Sequence, residues 1–93
     1  MVQEITILLK HPHGLHIRPA MLLANVAQQF ESKIELFYND QKANAKSIYA
    51  LVGLCVMPNA ELRFVAEGKD AAEALRAIAK LIESNFEEDG NGN

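Results

Sequence analysis

The chain has 93 residues, 49% of them apolar, and a net charge of −3. That is apolar material for one small core, with no room for a second domain that engulfs a large substrate. The lack of a basic stripe argues against nucleic-acid binding. The lack of a long apolar run or signal pattern argues against membrane insertion and export, and a lone cysteine (Cys55) cannot form an internal disulfide.

A strand is expected over Val2–Lys10, where Ile5, Ile7 and Leu9 alternate with other residues at period two. His11-Pro12-His13-Gly14 breaks it: Pro12 removes a ladder donor and Gly14 permits a positive φ. Ile17–Phe30 carries Ala20, Leu23, Ala24, Ala27 and Phe30 on one helical stripe, and Pro19 falls in the first turn, where its missing N–H costs nothing. His16 then stands at the N-cap. Lys33–Tyr38 and Gln41–Lys46 read as strands of a hairpin around Asn39-Asp40, with Ile34, Leu36, Tyr38, Ala43 and Ala45 inward.

Ser47, a strong N-cap type, opens a short helix that ends near Gly53 or Leu54. Ile48, Leu51, Val52 and Cys55 share its helical spacing, and Tyr49 falls off that stripe. After a turn at Met57–Ala60, Glu61–Glu67 is the fourth strand, with Leu62, Phe64 and Ala66 inward. Asp70 and Glu73 have the spacing of a capping box for a last helix whose stripe is Ala71, Ala74, Leu75, Ile78, Leu81 and Ile82. The order β-α-β-β-α-β-α predicts an α+β open-faced sandwich, a four-stranded antiparallel sheet covered on one face by three helices. One domain is expected over 1–86. The acidic stretch 87–93 has no apolar residue and is expected to be a disordered tail, which leaves acids and bases balanced over 1–86.

The stretch Gly14-Leu15-His16-Ile17-Arg18-Pro19-Ala20 carries the chemistry. The first turn of a helix has free N–H groups and the positive end of the helix dipole, a setting suited to phosphate. Imidazole is a competent nitrogen nucleophile near neutral pH, and a phosphorylated imidazole holds its group at high transfer potential. The backbone N–H groups of Ile17 and Arg18 and the Arg18 guanidinium would stabilise that group. A lone histidine is more often an ordinary surface residue. Here the helix start and the nearby arginine favour function. His11, His13 and His16 are also spaced for a metal, but Pro12 stiffens the loop and Arg18 would repel a cation, so no metal or other cofactor is expected. His11 and His13 otherwise read as exposed loop residues or partner contacts. Ser47 is either a plain cap or a phosphorylation switch on a second helix start, next to a docking patch of Ile48, Tyr49 and Val52.

At GLHIRPA (14–20) and NAKSIYALVGLCV (44–56) the sequence closely resembles the HPr family, the phosphocarriers of the bacterial phosphoenolpyruvate-dependent phosphotransferase system. The likeness implies that His16 accepts a phosphoryl group at Nδ1 from Enzyme I and gives it to Enzyme IIA proteins, assisted by Arg18. It implies a phosphocarrier rather than a turnover enzyme, serving sugar uptake. It also implies regulation at Ser47 by an HPr kinase/phosphorylase, with a catabolite-control regulator as a further partner. Docking is expected at Met21, Ile48, Tyr49 and Val52, in a cytoplasmic monomer. A mainly regulatory or nitrogen-linked HPr-like protein shares the same motifs, and a histidine-cluster metal module stands as the remote alternative. The chain departs from the family with Ile17 where Ala or Thr is usual and His13 where Asn or Thr is common. Asn25 and Gln28 lie where many members carry lysines.

Overall fold

A computed structural model describes residues 1–86. The expected tail, 87–93, lies outside the described residues. The chain runs β1 (Val2–Leu8), α1 (Ile17–Ala27), β2 (Lys33–Tyr38), β3 (Gln41–Asn44), α2 (Ile48–Gly53), β4 (Glu61–Glu67) and α3 (Ala71–Glu83). The four strands form one antiparallel sheet in the order β1-β4-β2-β3, and the expected sandwich is found.

Register explains how period-two strands build a single apolar face. Ile5 lies opposite Phe64, Phe64 opposite Leu36, and Leu36 opposite Ala43, so one row of apolar side chains crosses all four strands. The next row, Thr6, Arg63, Phe37 and Lys42, faces away from the helices. There the Arg63 guanidinium sits 4.4 Å above the Phe37 ring and 3.2 Å from Glu4. A one-residue slip would exchange the two rows, so burial of one face fixes the pairing. Under the sheet, Ala20, Leu23, Ala24 and Ala27 of α1 and Ala71, Ala74 and Ile78 of α3 are buried. Small residues on these stripes let the helices approach closely, and α3 packs on β1 and β4.

Several boundaries fall short of the sequence reading, each for a local reason. β1 stops at Leu8, not Lys10, because Leu9 pairs outside the ladder with Ala60 (2.8 Å) and Asn59 (2.8 Å). α1 stops at Ala27, not Phe30; Gln29 and Phe30 tighten into a final turn on Val26 and Ala27. β3 ends at Asn44, whose Oδ1 accepts the N–H of Lys46 at 2.9 Å and turns the chain out of the sheet.

α2 ends at Gly53, as expected, so Cys55, which continues the helical spacing, lies past it and is exposed with φ +54°. One expectation is overturned outright. Asp70 stands at the N-cap of α3 but its side chain makes no cap hydrogen bond, so the capping box with Glu73 does not form. Its carboxylate instead accepts the Ser32 hydroxyl (2.5 Å), the Ser32 N–H (3.0 Å) and the Glu31 N–H (2.9 Å). Two backbone N–H groups and a buried hydroxyl outcompete a solvent-facing cap. The carboxylate thus clamps the α1–β2 connection to the start of α3.

Candidate functional site

Residues 9–16 are folded tightly back on themselves. The Gly14 N–H donates to the His11 carbonyl at 3.0 Å, closing a turn with Pro12 at the position where its fixed φ is an advantage. Gly14 follows with φ +69°, and a Cβ added there would collide with the Val56 carbonyl oxygen. The next N–H, that of Leu15, donates to that same oxygen at 3.1 Å. Leu15 is buried, and so is Pro19 in the first turn of α1. Between these anchors His16 is the N-cap of α1, in extended conformation, with its carbonyl accepting the Ala20 N–H at 3.0 Å.

The His16 side chain does not cap the helix. The ring is half-buried, and its Nε2 is buried with no hydrogen-bond partner. Of the two ring nitrogens, Nε2 is the one shut away from solvent. The N–H groups of Ile17 and Arg18 belong to the helix start and have no carbonyl of an earlier turn to bond. Arg18 is exposed and Ile17 is 61% exposed. One helix start thus carries an imidazole, open first-turn N–H groups and an exposed arginine two residues along.

The other two histidines are drawn into the same place. The His11 ring centre lies 5.0 Å from that of His16, and the His13 ring stands edge-on to His16 at 5.6 Å. His13 is exposed, as expected, but His11 is not loop filler. It is half-buried, its ring is edge-on to buried Phe86 at 5.9 Å, and its Nδ1 accepts the His13 N–H at 3.3 Å. Burial, then the neighbouring His16 and His13, push His11 below the usual histidine value. The sequence signal for this packing was Phe86, a large apolar residue stranded past the end of the α3 stripe. Among the described residues no group of three His, Cys, Asp or Glu is placed to hold a metal ion. One nitrogen of the nearest candidate, His11, is already taken by the backbone.

Ser47 lies elsewhere. Its Oγ accepts the Ala50 N–H at 3.1 Å, so it is a working N-cap of α2. Gln28 bonds the Lys46 carbonyl (2.8 Å), and Lys46 Nζ bonds the Phe30 carbonyl (2.7 Å). These contacts put the start of α2 beside the end of α1, whereas the Leu15–Val56 bond puts the end of α2 beside His16. The two helices are antiparallel, and Ser47 and His16 sit at opposite ends of the pair. Of the expected docking residues, Tyr49 (90%) and Met21 (45%) are exposed. Ile48 and Val52 are instead half-buried against the core, because their spacing with Leu51 also serves the interior. Ile17 and Met57 (63% exposed) add apolar surface near the His16 end.

The sequence matches the family described as "PTS HPr component phosphorylation site" over residues 3–84. It is similar to the phosphocarrier protein HPr of Treponema pallidum, 41% identical over 76 residues, covering 82% of this chain and 86% of that one. A multiphosphoryl transfer protein of Vibrio cholerae is 41% identical over 86 residues, which cover 89% of this chain and 22% of that longer protein. The crystal structure of HPr-C-His from Thermoanaerobacter tengcongensis superposes with a TM-score of 0.87 at 42% identity, covering 92% of this chain and 98% of that one. With the overall fold and the matched span in agreement, the chain belongs to the HPr family of phosphotransferase-system phosphocarriers.

Proposed function

We propose that His16 is the residue on which this phosphocarrier holds its phosphoryl group. One observation carries the assignment: the ring stands at the start of α1, does not cap it, and has Nε2 buried, which favours Nδ1 for attack. In the accepting step the Nδ1 lone pair attacks phosphorus of the phosphorylated donor, Enzyme I. The donor's own bond to phosphorus breaks, and its electron pair stays with the donor. Arg18 and the N–H groups of Ile17 and Arg18 draw charge from the phosphoryl oxygens. The reverse geometry hands the group to an Enzyme IIA protein, so the chain ends each cycle unchanged in a relay rather than releasing a product of its own.

The exposed apolar residues Met21 and Tyr49, the latter toward the Ser47 end of α2, form the surface that partners cover together with Ile17 and Met57 near His16, and Ile48 and Val52 contribute at its edge. Asn25 and Gln28 leave this surface without the positive charge of lysines, so apolar contact carries more of the docking. Ser47 is a site for regulatory phosphorylation by an HPr kinase/phosphorylase. A phosphate there sits at the far end of the α1–α2 pair from His16, so its effect falls on docking and on recognition by a catabolite-control regulator. Among the described residues no helix is long and apolar enough to cross a membrane; the setting assigned to the carrier is the cytoplasm, with its phosphotransferase partners. The carrier acts as a monomer in sugar uptake.

The test is incubation with phosphoenolpyruvate and Enzyme I. Acid-labile phosphate is expected on the parent and not on His16→Ala. Labelling that survives His16→Ala and disappears in His11→Ala would move the nucleophile to His11.

A further inference from the structure

His11 is held by several contacts, and the assignment above gives it no task. Its carbonyl closes the turn to Gly14, its ring rests edge-on against Phe86, and its Nδ1 accepts the His13 N–H at 3.3 Å. A ring nitrogen that accepts a backbone N–H carries no proton, so the neutral ring keeps its proton on Nε2. Among the described residues, burial first and then His16 and His13 disfavour a second proton on His11. In its neutral form His11 has one N–H to give, on Nε2. Its ring centre is 5.0 Å from that of His16, tilted by 60°. Because His16 buries Nε2, a group carried on that ring grows from Nδ1 and extends past the ring by a P–N and a P–O bond, a reach comparable to the gap between rings this close.

We propose that His11 is a phosphoryl-binding residue: its Nε2–H donates a hydrogen bond to an oxygen of the phosphoryl group carried on Nδ1 of His16. The inference rests on His16 being the acceptor. His11 makes and breaks no covalent bond in it. A carrier has to hold its group and still release it, and a neutral donor suits this better than a cation, because hydrogen bonds to charged donors are roughly twice as strong. Release passes through a loose, metaphosphate-like state that carries less charge on the phosphoryl oxygens than the resting dianion. A donor to those oxygens therefore favours the resting form and slows spontaneous loss. Arg18, exposed on the first turn, remains free to follow the group toward a partner.

The experiment uses the full chain with ¹⁵N-labelled histidine and potassium phosphoramidate, which needs no partner protein. His16 Nδ1 attacks phosphorus and ammonia leaves. Phosphohistidine is read by ³¹P resonance, with His16→Ala as the control. If the parent takes no label on His16, the acceptor assignment fails and takes this inference with it. With label on His16, the ¹⁵N spectrum is expected to show His11 as the Nε2–H tautomer, with the Nε2 resonance moving on phosphorylation. His11→Phe keeps an aromatic ring against Phe86 and removes the donor. It is expected to lose phosphate roughly two- to ten-fold faster at about pH 8, where imidazoles are neutral, and His11→Gln, which restores an N–H donor, is expected to recover most of the difference. An Nδ1–H tautomer, an Nε2 resonance that ignores phosphorylation, or equal decay in parent and His11→Phe would each overturn the proposal. The tautomer and resonance measurements on the parent decide the matter even if the Phe variant folds poorly.

Discussion

Gly14 and Gly53 should respond in opposite directions to the same substitution, and the contrast tests how the site is held. At Gly14 the backbone has φ +69°, a region that costs a residue with a Cβ roughly 1–2 kcal/mol. The new Cβ would also land on the Val56 carbonyl oxygen, a backbone atom that cannot swing aside as a side chain can. That oxygen accepts the Leu15 N–H at 3.1 Å, and displacing it weakens a bond worth about 0.5–1.5 kcal/mol. Gly14→Ala is therefore expected to lose about 1.5–3.5 kcal/mol. In a domain of this size, where ~1 kcal/mol is roughly 4–8 °C, Tm should fall by roughly 6–28 °C. At Gly53, on the exposed end of α2, an added Cβ meets nothing within 4 Å. Gly53→Ala should gain up to about 1 kcal/mol from helix propensity. Thermal unfolding followed by circular dichroism measures both. Phosphoryl acceptance by the Gly14 variant, assayed well below its melting point, should also be slower, because the Leu15–Val56 bond sets where α1 begins. If Gly14→Ala melts with the parent, or the two variants shift Tm in the same direction, the turn does not anchor His16 as described.

The other expectations are simpler to state. Arg18→Ala should change stability by less than about 0.5 kcal/mol, since the side chain is exposed, yet slow phosphoryl transfer roughly ten-fold or more; a variant that unfolds easily but transfers normally would reverse the assignment. Ser47→Ala removes the Oγ that accepts the Ala50 N–H and should cost about 1 kcal/mol while leaving acceptance at His16 normal. Ser47→Asp should cap as well as Ser but accept poorly from Enzyme I, and normal acceptance would return Ser47 to a purely structural role. The Ser32 hydroxyl first, then the Glu31 N–H, holds the Asp70 carboxyl below its usual value. The unfolded chain therefore takes up this proton first as pH falls. The contribution is full above about pH 4, the unfolded carboxylate value, and is lost as pH drops through the folded one. Urea midpoints measured across this range should fall less steeply for Asp70→Asn than for the parent; parallel slopes would mean the clamp does not form in solution.

Local pattern made much of this legible. Period-two runs located all four strands, and helical stripes located the three helices. The spacing of His16, Arg18 and Pro19 placed an imidazole at a helix start, because that geometry needs only a few consecutive residues. What the sequence hid is everything that depends on a distant segment. Asp70 has the local signature of a cap, but its carboxylate is used by Glu31 and Ser32, nearly forty positions away. Cys55 continues a helical spacing on paper, but the helix has already ended and the backbone turns through positive φ. Ile48 and Val52 share the stripe of Leu51 and adjoin Tyr49, and in so short a helix they serve both faces, half-buried against the core.

The same division runs through the functional site. A nucleophile and its charge-neutralising groups must be close in sequence if one helix start is to present them together, so GLHIRPA is a compact motif. Holding that helix start at a fixed place is a different task. It requires contacts that do not move when a partner docks, and those come from elements already anchored in the core. Val56, past the end of α2, fixes Leu15, and Phe86, past the end of α3, backs His11. Neither residue carries reactive chemistry, so neither stands out by type. Val56 acts through its backbone carbonyl, which side-chain substitution leaves in place, whereas substitution of Phe86 should act on transfer and on stability together, and substitution within the motif should separate the two.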